Sequence, residues 1–197
     1  VFNSDDKEAA PMTFRIDFAS ERKRRCGDCQ LCCKLLPVRS LAKLAGQHCS
    51  HQRHHKGCAA YARLAHVSPE CRLWSCRWLT GDDTADLSRP DRSHYVIDIM
   101  PDFVTTIDNA TGARVDYEVV QIWVDPGYPE AHRDPGLRAW LVRQRKLGLV
   151  RYSDTRGFVI CPPNLSETGE WIERHSDMKV KSHNLAEVVA ALTERNV

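Results

Sequence analysis

Eight of the nine cysteines in this 197-residue chain lie between residues 26 and 76. Four form the run Cys26-Gly27-Asp28-Cys29-Gln30-Leu31-Cys32-Cys33, and Cys49, Cys58, Cys71 and Cys76 complete the set. Packing does not call for this density, because a core takes its apolar volume from Leu or Val. Thiolates in such number are the donor set for a soft metal. An odd cysteine total argues against a disulfide framework, and adjacent cysteines bridge each other only with backbone strain. The cluster therefore reads as metal binding in a reducing cytoplasm, with no secretory pattern at Val1 and no apolar run of membrane-spanning length.

Spacing narrows the chemistry without fixing it. In Cys26-x-x-Cys29 a tight turn lets both sulfurs face one metal, and Cys29-x-x-Cys32 repeats that spacing. Cys32 and Cys33 project in different directions and serve two sites more easily than one. Two four-ligand sites use all eight thiols, and so does a single multinuclear cluster. Two zinc ions are the favoured occupants, with an iron–sulfur cluster as the alternative. The ferredoxin run, which continues to a fourth cysteine followed by proline, is absent. His51, in Cys49-Ser50-His51-Gln52, is a candidate additional metal ligand. The plainer reading is a solvated loop, shared with His48, His54 and His55.

Charge is divided sharply along the chain. Residues 21–79 hold 12 Lys or Arg against three acids, a net +9, while the whole chain carries only +2. Two four-thiolate zinc sites, each with a net charge of −2, would offset about half of that excess. The run Arg22-Lys23-Arg24-Arg25, with Trp74 or Trp78 as stacking platforms, admits a weaker reading as a nucleic-acid-binding zinc module. No nucleophile elbow, phosphate loop or paired acid–base motif occurs, so no catalytic residue is assigned. Cys161 ends the apolar stretch Phe158–Cys161 and reads as a small buried hydrophobe.

The fold class expected is α+β: a small irregular cysteine-rich metal module packed on a small α+β unit with an antiparallel sheet and a C-terminal helix. Residues 1–20 read as a flexible arm, with one short pairing segment at 13–17. Residues 21–80 form the module, with Leu35, Leu36, Leu41, Leu44, Tyr61, Leu64, Trp74 and Trp78 wrapped around the sites. Residues 81–93 make a polar connector. In the unit spanning 94–197, strands are expected at 94–100, 103–108, 115–124, 149–153 and 158–161, with a turn at Asn109–Gly112. Asp134 and Pro135 mark a helix start and Gly148 its end. Leu185, Val188, Val189 and Leu192 form the stripe of a closing helix.

Taken together, Cys26-x-x-Cys29-x-x-Cys32-Cys33, Gly57-Cys58-x-x-Tyr61 and Pro69-x-Cys71-Arg72-x-x-x-Cys76-x-Trp78 resemble the YkgJ-type bacterial cysteine-cluster family of zinc- or iron-chelating proteins. The resemblance covers about residues 25–79 and implies the eight cysteines as metal ligands, without a settled biochemical role. A more distant likeness to flagellin lysine methylases implies an iron–sulfur protein acting in electron transfer or in SAM-dependent protein lysine methylation. Two positions depart from the pattern. Ser68 stands before Pro69 where many relatives have Arg, and Gln52 follows His51 where some have cysteine. The leading expectation is a metal-binding protein whose zinc sites support folding, with function on the surface where module and sheet meet and a protein as the expected partner.

Overall fold

The computed structural model describes residues 22–107 and 111–175. The cysteine-bearing stretch forms only short elements, as expected where apolar periodicity is weak. They are α1 (Leu31–Leu35), the two-residue strands β1 (Gln52–Arg53) and β2 (Gly57–Cys58), α2 (Leu64–Val67), α3 (Pro69–Leu73) and α4 (Arg77–Thr80). The connector is partly helical and ends in α5 (Pro90–Ser93). Then come β3 (Tyr95–Ile107), β4 (Arg114–Val124), α6 (Pro135–Gln144), β5 (Leu147–Arg151), β6 (Gly157–Cys161) and β7 (Ile172–Arg174). The expected arm at 1–20, its pairing segment and the closing helix at 185–192 lie outside the described residues.

The chain is α+β, but its main sheet is mixed rather than antiparallel. Five strands lie in the order β3-β4-β5-β6-β7. β4 and β5 run parallel, with Val119 opposite Leu147 and Ile122 opposite Val150, and every other pair is antiparallel. The reason is the connection: after Val124 the chain crosses through a 3-10 turn at Pro129–Arg133 and then α6. A helical crossover of that length returns the chain in its original direction. The two strands expected at 94–100 and 103–108 are one, β3, whose register shifts between Ile97 and Pro101. Proline has no N–H for the ladder, and an irregularity accommodates it.

Helix α6 begins where the sequence places it. Pro135 occupies its first turn, and the Asp134 carboxylate accepts a hydrogen bond from Leu137 N at 2.8 Å. It ends earlier than expected, at Arg145 in the left-handed region with φ +51. Gly148 instead belongs to β5, where a Cβ would stand 2.7 Å from Ile160 and 2.9 Å from Ile122. Asp134→Ala is expected to cost about 1 kcal/mol through loss of the cap, and urea unfolding checks it. The Tyr95 hydroxyl, 3.2 Å from Asp134, shares in that loss.

Strand alternation decides what lies on each side of the sheet. Tyr95, Ile97, Ile122, Val124, Val150, Phe158 and Ile160 face Leu137, Trp140 and Leu141 of α6 in one apolar cluster. The intervening Val96 and Trp123 point the other way, as successive strand residues must. There they meet Leu31, Leu35, Cys76 and Leu79. The cysteine-bearing stretch thus sits on one face of the sheet and α6 on the other. No helix among the described residues is long and apolar enough to cross a membrane.

Candidate metal centre

Cys26-x-x-Cys29 forms the tight backbone turn that its spacing predicts. Cys29 N donates to Cys26 O at 3.1 Å, and the turn passes through Gly27 at φ +59, a conformation that glycine adopts without a Cβ clash. A Cβ there would also stand 3.1 Å from the Arg89 guanidinium, which pairs with Asp28 at 2.8 Å. α1 follows and carries Cys32 and Cys33. Cys58 lies on β2, Cys71 on α3, and Cys76 immediately precedes α4.

The eight thiols fall into two neighbourhoods. Cys76 packs in an apolar cluster against which Cys29 and Cys32 also lie. Burial pushes its thiol up to about 12, opposed by the Leu79 N–H and reinforced by the charges of Cys26 and Cys29. Cys26, Cys29, Cys32 and Cys76 are linked by these packing and charge contacts, although Cys26 also feels the charge of Cys33. In the other neighbourhood, Cys49 N donates to Cys33 O at 3.1 Å. Cys58 and Cys71 are each raised first by burial, and each feels the charges of Cys33 and Cys49. Cys32 and Cys33 join the sets: the Cys32 thiol hydrogen-bonds the Cys33 sulfur, raising the first and lowering the second.

Polar residues that the sequence pattern did not single out hold these segments. Gln30, buried between Cys29 and Cys32, donates to the carbonyls of Arg53 and of Gly57 and accepts from Gln52 Nε2 at 2.8 Å. One side chain thereby ties the first cysteine run to the β1–β2 hairpin. Ser68, fully buried, caps α3 by accepting from Cys71 N at 3.4 Å and bonds the Ser40 hydroxyl at 3.0 Å. The departure at Ser68 is thus an N-cap with proline at the first helical position.

Lys43 is the more informative residue. Its side chain is buried, and its ammonium donates to the carbonyls of Lys34, Leu36 and Leu44. No carboxylate of a described residue pairs with it. Burial lowers its pKa, and the charges that oppose this are those of Cys49, Cys33, Cys32 and Cys71. A buried cation needs an anionic neighbour, and here the thiols supply it when deprotonated, as they are on a metal. The donor chemistry therefore fits a thiolate-bound ion. Among the described residues, no three or more His, Cys, Asp or Glu side chains are drawn closely enough together to hold an ion as they stand.

Other expected positions fall differently. His51 lies in the turn before β1, its carbonyl accepting from Ala59 N at 2.8 Å, and its ring bonds no other described residue. Leu35 and Leu64 are buried as expected, but Leu44 and Tyr61 are each 60% exposed and wrap nothing. Trp74 and Trp78 are half-buried, their N–H groups turned inward to Asp98 and to the Leu87 carbonyl. Cys161 is half-buried.

Two polar links join the stretch to the sheet. Trp74, between Cys71 and Cys76, donates to the buried Asp98 of β3 at 2.7 Å. Lys34, beside Cys33, pairs with both oxygens of Asp125 at 2.8 Å. Burial pushes the Asp125 carboxyl up, but the Lys34 ammonium and the Gly127 N–H outweigh it and the net shift is down. A depressed carboxylate adds stability above its unfolded pKa of about 3.9, lost as pH falls through the folded value. The stability difference between the native chain and Asp125→Asn is therefore expected to be largest above about pH 4 and to shrink with acid. Denaturant unfolding at stepped pH measures it. No family model, no curated protein and no solved structure matches this chain.

Proposed function

We propose that the chain is a metal-binding protein with two four-thiolate sites, one formed by Cys26, Cys29, Cys32 and Cys76, the other by Cys33, Cys49, Cys58 and Cys71. Zinc is the preferred ion for both. The observation that carries this reading is the buried Lys43 ammonium, which has no carboxylate partner among the described residues and faces four thiols that would be anionic on a metal. Closed four-thiolate zinc cross-links the chain and leaves no open position for a substrate. Such cross-links would stand in for the core that the short elements of residues 22–80 lack. Binding of an ion would require the sulfurs to move together, since among the described residues no three of them stand close enough to hold one.

All nine cysteines are free in the structure, which supports a reducing compartment such as the cytoplasm. The test is metal and acid-labile sulfide content on protein purified without oxygen. About two zinc ions per chain without sulfide or colour is the expected result, as closed zinc chemistry requires. Iron with matching sulfide would overturn it in favour of a cluster.

A further inference from the structure

Two arginines of the cysteine-bearing stretch meet at one cavity. Arg22, Tyr61, Ala62, Leu64 and Arg72 line a cavity of about 460 Å³, within the range of small-molecule sites. Its apolar part is Leu64, which is buried. Its polar part is two guanidiniums brought together from distant points of the sequence. Arg22 is held by donating to the Tyr61 hydroxyl at 2.6 Å.

Neither guanidinium has a carboxylate partner among the described residues. Other cations of the same stretch do: Lys23 pairs with Asp82, Lys34 with Asp125 and Arg77 with Asp83. Glu70, the acid nearest Arg72 in sequence, is turned to the Ser40 hydroxyl at 2.8 Å. Tyr61 meanwhile leaves most of a large ring in solvent beside both cations. Planar forked donors match phosphate oxygens, and an exposed aromatic face stacks on a planar base. Trp74 and Trp78, with their N–H groups committed inside, are the poorer platforms.

We infer that this cavity binds a nucleotide, its phosphate held between Arg22 and Arg72 and its base against Tyr61. The chemistry is the same for a free nucleotide and for one unit of a single strand. No cysteine lines the cavity, although Arg22 also faces the Cys26 thiol.

The test uses the metal-replete full chain at low ionic strength, titrated with inorganic phosphate, AMP and a labelled single-stranded oligonucleotide. Saturable binding is expected for AMP or the oligonucleotide. Arg22→Gln and Arg72→Gln are each expected to weaken it about tenfold or more, the scale of a lost charged hydrogen bond, and metal content is measured on each variant because Arg22 also faces the Cys26 thiol. Tyr61→Leu removes both the stacking face and the hydroxyl that holds Arg22, so it should weaken AMP or oligonucleotide binding by a larger factor than inorganic phosphate binding. Saturation by AMP supports a free nucleotide as the source, and saturation by the oligonucleotide alone supports a strand. Absence of saturable binding by both AMP and the oligonucleotide, with or without binding of inorganic phosphate, overturns the inference. So does binding that Arg72→Gln leaves unchanged.

Discussion

If the two proposed four-thiolate sites are filled, Cys71→Ser is expected to remove one of two metal ions and leave the other, and Cys76→Ser is expected to do the reverse. The two residues lie close in sequence but in different neighbourhoods, Cys71 with Cys33 and Cys49, Cys76 with Cys26 and Cys29. A four-thiolate site that loses one donor loses its closed coordination. A structural zinc contributes on the order of 10 kcal/mol of apparent folding free energy, so each variant should also melt well below the native chain. In Cys71→Ser the buried Lys43 ammonium additionally loses the smallest of the four thiol contributions that oppose its burial. Metal per chain, by elemental analysis and native mass spectrometry, reads the result. Loss of both ions from either variant would point to one cluster shared by all eight thiols, and loss of neither would sink the assignment.

Trp123→Ala carries the second large effect. The ring is almost fully buried where Leu31, Leu35, Cys76 and Leu79 seat on the sheet. Its N–H donates to Asp98 Oδ2 at 3.2 Å, and the buried Arg151 guanidinium lies 4.3 Å from its ring centroid. Burial raises the Asp98 carboxyl, opposed by hydrogen bonds from Met100 N, Trp74 and Trp123. Truncation opens a cavity, takes one donor from Asp98 and uncovers Arg151 at once. A loss of about 3–5 kcal/mol is expected from the cavity term, by urea unfolding. Trp123→Phe keeps most of the ring and loses the N–H, for a smaller cost of about 1–3 kcal/mol. A cost below about 1 kcal/mol for Trp123→Ala, typical of surface positions, would show that the seat is not where the stretch is held.

What could be read from the chain beforehand was local. Asp134-Pro135 announces α6 because a cap and a first-turn proline act within four residues. The β4, β5 and β6 strands show in their β-branched and aromatic runs. Direction does not: periodicity is the same whether β5 lies parallel or antiparallel to β4. Pro101 looks like a strand break, and only the partner strand reveals that β3 continues through a bulge. Gly148 looks like a helix stop because its real constraint, the closeness of Ile122 and Ile160, comes from two other strands. The eight cysteines stand out in the sequence as candidate donors, but how they would group does not, since the gaps around Cys49, Cys58, Cys71 and Cys76 carry no geometry. Gln30, Lys43 and Ser68 act through partners elsewhere in the chain, and their residue types alone signal nothing.

The alternation at the centre of the sheet has a consequence for insertions and deletions. Ile97 and Ile122 serve α6 while their immediate neighbours Val96 and Trp123 serve the cysteine-bearing face. Adding or removing one residue ahead of this pairing would exchange the two sets, because strand side chains repeat every second position. A sheet with one wet face would expose its apolar set by such a slip and still have a polar face to offer. Here both faces are occupied, so the same slip would send Trp123 toward a helix shaped for Val and Ile, and unseat both partners together. Length changes in this chain should therefore be confined to its loops, with the central strand pair fixed residue for residue.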